Sequence, residues 1–309
     1  MSEKIKVQKP DITSTLKSLD TEEFIDIHFY RPIGYRWALF FNKFGVSPNS
    51  ITIASIFIGI AAGICFYYQN LTINIIGMIL LVWANSYDSA DGQLARMTGK
   101  KTPLGRILDG FSGDLWFFSI YAAICLRLTP EWGIWIWILA AITGFFHSKQ
   151  AAMADYYRNI HLLFLKGKAG SELSYSPTLK ENYKKLSWKK DFIYKLFETF
   201  YINYTVGQET LTPNFQKMMN IIRTQYKDEA PAWFRTAFRE KSLPLMKYTN
   251  MLSFNTRVIA LFISLFLDMP WLYFVFELTI LNGMLVYMIL THEHFCKIFT
   301  EQLASRPSK

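Results

Sequence analysis

Three aspartates and one arginine lie in or beside segments that otherwise have the composition of membrane-spanning helices. Asp88, Asp91 and Arg96 belong to one segment, and Asp109 lies in the next. Ionised groups at membrane depth are costly unless they are paired, hydrated or metal-bound. Carboxylate oxygens suit Mg²⁺ and Mn²⁺, whereas a zinc site would be expected to contain Cys and His. The pattern therefore predicts a site that holds divalent cations and, through them, an anionic ligand.

The spacing of these residues places them on common helix faces. Positions 88, 91, 92, 95 and 96 form one continuous face of an α-helix. Small residues at 92 and 95 leave room for a ligand to approach the backbone, and Arg96 can pair with a phosphate. Gly105 and Asp109 share a face of the following helix. Two cations bridged by carboxylates would neutralise a pyrophosphate and stabilise the charge on a leaving phosphate.

The composition is that of a membrane protein. Hydrophobic residues make up 51% of the 309 residues, and charged residues only 18%, against about 25% in an average soluble protein. The polar N-terminus has no apolar core of the kind that a secretory signal contains. The cysteines are far apart in apolar surroundings, which predicts free, buried thiols at Cys65, Cys125 and Cys296.

The net charge of +9 is concentrated between Ala154 and Asn250, a range that contains 16 Lys and Arg residues but only 9 Asp and Glu residues. In a membrane protein, a basic block of this kind favours contact with anionic lipid head groups over nucleic acid. We therefore predict membrane lipids as partners and no nucleic acid.

We predict an all-α integral membrane fold with a bundle of six transmembrane helices. The short turns that join the spans in pairs contain no Lys or Arg, whereas the opposite side is rich in both. Because positive charge stays on the cytoplasmic side, both termini and the acidic motif are expected to face the cytoplasm. The predicted spans cover residues 51–68, 71–87 (continuing through the acidic motif), 104–128, 132–153, 252–267 and 271–290.

The predicted organisation has five regions. Residues 21–44 mix apolar and aromatic residues with basic ones and are interrupted by Pro32 and Gly34, which predicts an amphipathic segment lying on the membrane. The regions are a cytoplasmic N-terminus with this interfacial helix (1–46), transmembrane helices 1–4 (47–155), a basic, helical cytoplasmic insertion (156–250), transmembrane helices 5–6 (251–291) and a cytoplasmic tail (292–309).

The acidic motif resembles the signature of a known family. The pattern Asp88-x2-Asp91-Gly92-x2-Ala95-Arg96-x8-Gly105-x3-Asp109 looks like that of the CDP-alcohol phosphotransferases, also called CDP-alcohol phosphatidyltransferases. The stretch Ser47-Pro48-Asn49-x2-Thr52 is similar to the helix start of that family, and the resemblance covers about residues 31 to 154. It implies a six-helix membrane bundle, usually a homodimer, that transfers a phosphoalcohol or phosphatidyl group from a CDP-linked donor to a hydroxyl and releases CMP.

The resemblance also implies roles for individual residues. Asp88, Asp91 and Asp109 would be ligands of two divalent ions, Mg²⁺ or Mn²⁺. The residues expected to contact the cytidine diphosphate are Asn49, Thr52, Gly92, Ala95, Arg96 and Gly105. A bacterial inner membrane is the expected location, with the active site facing the cytoplasm.

One position departs from the family pattern. The family continues with a further aspartate, its proposed base, where this chain has Gly113, and the acid follows at Asp114. In a regular helix, Asp114 points about 140° away from Asp109. A π-bulge, which Gly110 or Gly113 would permit, would restore the alignment. We predict Asp114 as the catalytic base and as a metal ligand. The alternative is a different base and second metal site.

The head group, the donor and the acceptor stay open at this point. The run from Ala95 to Gly105 looks more like the choline/ethanolamine branch of the family, which implies a lipid alcohol such as diacylglycerol as acceptor, and ceramide is chemically similar. One alternative is head-group transfer from a phospholipid to a ceramide-like acceptor, as in a sphingolipid synthase. An ion-coupled transporter or an inactive paralogue is the alternative from another class.

Two further groups of polar residues have competing interpretations. His147, Lys149, Asp155 and Arg158 could bind the acceptor head group, or they could be ordinary interfacial anchors. The run His292-Glu293-His294 suggests a metal site, but residues two apart do not share a helix face. The sequence therefore favours a structural role for that run.

Overall fold

The structure is a computed structural model that describes residues 18–100 and 103–306, and these ranges contain no strand. The prediction of an all-α chain is confirmed for them. Residues 1–17 of the predicted N-terminal region and 307–309 of the predicted tail lie outside the described residues. The helices are α1 (Arg31–Lys43), α2 (Pro48–Cys65), α3 (Leu71–Thr98), α4 (Pro103–Trp132), α5 (Trp135–Lys166), α6 (Ser176–Lys185), α7 (Phe192–Thr210), α8 (Pro213–Gln225), α9 (Ala232–Met251), α10 (Phe254–Phe266), α11 (Trp271–Phe276) and α12 (Asn282–Ser305).

Two π-helical turns interrupt this pattern. One, Asp26–Tyr30, leads directly into α1, and the other, Glu277–Leu281, joins α11 to α12. A π-turn adds one residue to the backbone ring and is rare outside positions of local constraint. The second turn carries a buried glutamate, which is described with the polar residues of its unit below.

Five of the described helical stretches are long and apolar enough to cross a membrane. They are Pro48–Cys65, Leu71–Thr98, Leu108–Trp132, Ala232–Phe266 and Trp271–Ser305. Helix α5, which contains most of the predicted fourth span, is not one of them, and it carries the polar residues His147, Lys149 and Gln150 just before its midpoint. The stretch that contains the predicted fifth span begins at Ala232, twenty residues before the predicted start at 252.

The ends of the helices around the acidic motif follow local signals in the sequence. Ser47 caps α2 by accepting a hydrogen bond from the backbone N–H of Ser50, and Pro48 takes the first helical position. The Asn70 side chain caps α3 in the same way. Helix α3 ends at Gly99, whose φ of 68° lies in the left-handed region that glycine adopts without strain. The first part of the acidic motif, from Asp88 to Arg96, therefore lies in one uninterrupted helix of 28 residues.

The chain divides into two compact units. One comprises the described residues up to Ala140 together with Leu261–Leu272, and the other comprises Ala141–Ala260 and the residues from Tyr273 onward. The first unit contains the acidic motif, and each unit is described by itself.

Small residues allow α2 to approach α3 and α4 closely in the first unit. A Cβ atom at Gly59 would lie 2.1 Å from Trp116 of α4, and one at Gly77 would lie 2.7 Å from Phe66. The Trp116 indole N–H donates to the carbonyl of Ser55 at 3.0 Å, so it is fixed against α2. Close backbone approach through small residues is the usual way for helices to pack in a membrane.

A buried arginine joins α4 to the turn at the end of α10. Arg127 lies at the end of α4 opposite the acidic motif, and its guanidinium pairs with Asp268. It also donates to the carbonyl of Phe66 at 3.4 Å. Arg127 is the only basic residue that the sequence places close to one of the short connecting turns. Its contacts explain its position, because its charge is neutralised within the protein.

The second unit has its own aromatic core. Side chains from α5, α8, α9 and α12 form it. The ring centroids of Phe164 and Phe299 each lie within 6 Å of those of Phe234 and Phe238. Fully buried aromatic side chains of this size account for much of the stability of a core. The part of the chain predicted as an insertion therefore includes α8 and α9, which pack into a core rather than standing alone.

Packing at Gly59 can be tested by a single methyl group. We expect Gly59→Ala to lower the free energy of unfolding by about 1–3 kcal/mol, because the new Cβ overlaps the fixed Trp116 side chain. Gly110→Ala in α4 is the matched control, since nothing lies within 4 Å of its Cβ position. The control should be neutral or stabilising by up to about 1 kcal/mol. Thermal unfolding in detergent measures both, and equal melting temperatures for the two variants would contradict the close packing.

Candidate active site

Three aspartates from two helices meet at one end of the first unit. Asp88 and Asp91 are on α3, and Asp109 is on α4. One carboxylate oxygen from each lies within 4.8 Å of the other two. Asp91 is buried, Asp88 is half-buried and Asp109 is exposed. The cluster is therefore closed at Asp91 and open at Asp109.

Hydroxyl groups from the neighbouring helices hold two of these carboxylates. The Thr52 hydroxyl at the start of α2 donates to Asp91. The Ser112 hydroxyl on α4 lies 3.0 Å from Asp88 Oδ1 and 2.8 Å from the backbone carbonyl of Asp109, with one proton for the two acceptors. Charge-assisted hydrogen bonds of this kind fix the orientation of a carboxylate. The sequence motif contains Thr52, but it gave no indication of Ser112.

The geometry fits a hard divalent cation. Mg²⁺ binds oxygen ligands at about 2.1 Å in octahedral geometry, which puts ligand oxygens about 3 to 4 Å apart. Three carboxylate oxygens within 4.8 Å of one another need only small rotations to reach this arrangement. Asp88, Asp91 and Asp109 would hold the ion, and an exposed Asp109 leaves one side for water or a ligand. The presence of a second ion stays a prediction.

Arg96 is the strongest sign of an anionic ligand beside the carboxylates. Its guanidinium folds back over Gly92, where an added Cβ would lie 3.3 Å from Nη1. Its Nε and Nη2 atoms are buried and have no hydrogen-bond partner within the part of the chain that the structure describes. An unsatisfied buried guanidinium is costly, and a phosphate is the ligand that its planar donors fit best.

The other residues predicted to contact a nucleotide lie on the same three helices. Asn49 is half-buried in the first turn of α2, and Ala95 is half-buried on α3 next to Arg96. Gly105, also half-buried, lies near the start of α4. Their roles in binding a CDP-linked compound stay predictions.

Asp114 does not join the cluster. Helix α4 is α-helical over its whole described length, so the π-bulge that would realign Asp114 with Asp109 is not present. The side chain of Asp114 is exposed, one and a half turns beyond Asp109. The cluster of three carboxylates within 4.8 Å does not include it. Its role as base or metal ligand stays a prediction.

The N-terminal segment packs against the acidic helix, which the sequence analysis did not foresee. The Gln93 amide on α3 donates to the carbonyl of Arg31 at 3.1 Å, and a Cβ at Gly34 would lie 2.8 Å from Ser89. Arg31 itself forms a two-bond ion pair with Glu22, at 3.1 Å for each bond. The signal that could have revealed this contact is the small-residue spacing from Gly34 to Ala38, which allows close helix packing.

The polar residues predicted to bind an acceptor head group have partners within the second unit. His147 contacts the buried carboxylate of Glu277 at 3.1 Å, and Arg257 pairs with the same carboxylate at 2.9 Å. Arg158 donates to the hydroxyl of Ser253 at 3.0 Å. These contacts support the interpretation of His147 and Arg158 as structural residues. The sequence analysis assigned no role to Arg257.

The run from His292 to His294 is also used for structure. Glu293 accepts hydrogen bonds from the backbone N–H groups of Asn214 and Phe215, at 2.6 and 3.1 Å, and so caps the start of α8. His292 lies 3.5 Å from the thiol of Cys296, four residues along the same helix face. His294 is exposed. The histidine pair that the sequence suggested does not converge.

Comparison with known proteins agrees with the geometry of the first unit. The sequence model of the CDP-alcohol phosphatidyltransferase family matches residues 45–160. Over that range the chain is similar to this family, in agreement with the resemblance that the motif showed. Together with the five apolar helices, this makes the chain an integral membrane protein.

Three relatives are similar to parts of the chain. The bifunctional IPC transferase and DIPP synthase of Aquifex aeolicus is 26% identical over 140 residues, which is 45% of this chain and 31% of that protein. An uncharacterized protein of the same organism is 35% identical over 38% of this chain and 59% of its own length. The archaetidylinositol phosphate synthase of Pyrococcus horikoshii is 36% identical over 29% of this chain and 46% of its own length. The chain thus spans between about a third and three fifths of each relative, and no solved structure matches it.

The hydroxyl of Ser112 provides a test of the site that does not depend on activity. We expect Ser112→Ala to weaken Mn²⁺ binding several-fold, since the Asp88 carboxylate loses the donor that orients it. Ser119→Ala is the matched control, because that hydroxyl on the same helix donates to the carbonyl of Ile60 instead. Electron paramagnetic resonance titration of free Mn²⁺ measures both affinities. Equal affinities for the two variants would show that Ser112 does not position a metal ligand.

Proposed function

We propose that the protein is a membrane transferase that moves a phosphoalcohol or phosphatidyl group from a CDP-linked donor to a hydroxyl acceptor and releases CMP. One observation carries this proposal. Three carboxylates converge within 4.8 Å beside an arginine whose buried guanidinium nitrogens have no partner in the described chain. A cation site next to an anion site is the arrangement that a diphosphate requires.

The residues of the chain have separate tasks in this reaction. Asp88, Asp91 and Asp109 would hold the divalent cations, which would supply positive charge to a bound diphosphate and to the leaving CMP. Arg96 binds a phosphate oxygen, and Gly92 leaves space for its guanidinium and for the ligand. Thr52 and Ser112 orient the carboxylates. Asp114 takes the proton of the attacking hydroxyl.

The proposal for Asp114 rests on its position rather than on contacts. It is an exposed carboxylate on the helix that carries Asp109. A general base must reach the hydroxyl proton, and it does not have to share the metal-facing side of the helix. The acceptor would then approach from the side of α4 that Asp114 occupies.

The identity of the head group is a narrower proposal. The relatives named as IPC transferase and as archaetidylinositol phosphate synthase favour an inositol phosphate head group as the first to test. Diacylglycerol, a ceramide-like lipid and a polar alcohol are the acceptors to compare. Head-group transfer from a phospholipid to a ceramide-like acceptor is the second candidate, and it would release no CMP.

We further propose six spans, in which α5 joins the five apolar stretches as the fourth span along the chain. We also propose a homodimer in a bacterial inner membrane, with the active site facing the cytoplasm. The basic residues near the acidic motif support the cytoplasmic orientation. In this arrangement α6 to α9 lie largely on the cytoplasmic side, as the part of the chain predicted as an insertion. Labelling of single introduced cysteines from each side of the membrane tests this topology.

Loss of one metal ligand should stop the reaction. We expect Asp91→Asn to lower CMP release by about a hundredfold or more, because an amide oxygen binds Mg²⁺ far less strongly than a carboxylate. The assay incubates purified protein with a panel of CDP-linked and phospholipid donors and identifies the lipid products by mass spectrometry. Asp228→Asn, at an exposed turn of the second unit, is the control for an Asp-to-Asn change.

The outcomes of this assay separate the alternatives. Normal turnover in Asp91→Asn would reject the metal site. Lipid product without CMP would favour the phospholipid donor. Solute uptake into vesicles without any lipid product would favour a transporter.

A pair of variants tests Asp114. We expect Asp114→Asn to lower kcat by about 100-fold or more while leaving Mn²⁺ binding at the three-carboxylate site in place, because a general base is lost and the cluster is not. The double change Gly113→Asp with Asp114→Gly restores the family spacing. If that double variant is as active as the parent, or if Asp114→Asn keeps its turnover, the shifted acid has no special role.

A further inference from the structure

An exposed apolar face on α7 is the feature of the second unit that the proposed reaction does not use. Its members lie in or just before α7, outside the five apolar stretches that could cross a membrane. We call these residues the α7 face. They are Trp188, Phe192, Ile193, Leu196 and Phe200, which are between 36% and 59% exposed.

Helical spacing makes these side chains one surface. Phe192, Leu196 and Phe200 recur every four residues, and Ile193 lies beside them on the same side of the helix. The buried residues of α7, Ile202, Thr205 and Gln208, belong to its last part. The apolar surface is therefore turned away from the unit, although large exposed aromatics are costly in water.

The corner that presents the α7 face is held in one shape. The ammonium group of Lys195 donates to the carbonyl of Leu186 at 2.7 Å. It also lies over the ring of Tyr183, 4.5 Å from its centroid, and over that of Trp188 at 5.5 Å. These contacts fix the connection between α6 and α7, so the aromatic surface is preformed.

Basic residues surround this surface. Lys184, Lys185, Lys189 and Lys190 are all exposed and lie within the eight residues that precede Phe192. Between residues 180 and 201 the chain has six lysines and three acids, Glu181, Asp191 and Glu198. Each lysine near an anionic membrane surface adds to the electrostatic attraction.

This combination identifies the partner by its chemistry. Aromatic side chains with exposed lysines at their edge suit the head-group layer of a bilayer, where rings enter the acyl boundary and ammonium groups meet phosphates. The second unit also contains nearly all of the apolar stretch Trp271–Ser305, so a bilayer is expected to be adjacent to it. We propose that the α7 face lies in the plane of the membrane and binds a surface that carries anionic lipids.

The test uses the full chain in nanodiscs that hold one copy each. Discs of phosphatidylcholine alone are compared with discs containing roughly 30% phosphatidylglycerol. Amide hydrogen exchange is followed for residues 186–203. We expect exchange there to slow by about tenfold in the anionic discs, while α8, Pro213–Gln225, stays unchanged.

Matched variants separate charge from other effects. Lys189→Gln with Lys190→Gln should abolish the lipid-dependent slowing. Lys168→Gln with Lys227→Gln makes the same change of charge at exposed positions away from α7 and should leave it intact. Phe192→Ser with Phe200→Ser should remove the protection in both kinds of disc.

Three results would overturn the proposal. They are equal exchange in the two kinds of disc for the parent protein, slowing that persists in the Lys189/Lys190 pair, and slowing that appears only in discs holding two copies. The last result would identify the α7 face as a contact between copies of the chain. None of these readouts depends on transferase activity, so a negative result here would not count against the proposed function.

Discussion

The free-energy cost of keeping carboxylates at the end of membrane helices is the constraint on which the first unit depends. Asp91 is only 4% exposed, and like charges lie beside it on both α3 and α4. Such a group persists only where donors or cations compensate it. Thr52 and Ser112 supply donors from two neighbouring helices, so α2, α3 and α4 must converge at the acidic end. The close contact at Gly59 makes that convergence possible. The geometry of the site therefore depends on how closely the helices pack.

Two arginines show why an intramembrane charge does not by itself indicate a ligand. Arg257 is almost completely buried, yet its guanidinium binds Glu277, Gln150 and the carbonyl of Leu252. Every part of its charge is used within the second unit, and removing Glu277 would leave that charge uncompensated. Arg96 is also largely enclosed, but two of its nitrogens have no partner in the described residues. A structural arginine and a ligand-binding arginine therefore differ in whether the guanidinium nitrogens have hydrogen-bond partners within the protein, not in residue type or in how deeply the side chain is buried.

The sequence predicted those parts of the molecule that depend on local periodicity. Asp88 and Asp91 share a face because they are three apart on a helix, and the helix start at Ser47 and Pro48 is read from a few neighbouring residues. Ser112 was missed because serines occur in many helices and its partner Asp88 is 24 residues away. The packing of α1 onto α3 was missed for the same reason. An amphipathic pattern shows that a helix has an apolar face, but it does not show whether lipid or protein covers that face.

The gradient of exposure across the three aspartates determines how the cluster can be used. The Asp91 end is closed by Thr52, whereas Asp109 is open, so a ligand reaches the carboxylates from the Asp109 side. Helix α4 presents Asp109 and Asp114 about 140° apart around its axis. A cation held by the cluster and an acid at Asp114 therefore face different sides of one helix. If Asp114 acts as the base, the attacking hydroxyl would have to reach both Asp114 and a donor held at the cluster. Because the described residues of α4 include no π-turn, Asp114 stays on a different side of the helix from Asp109, and any transfer that uses Asp114 as base must fit that separation.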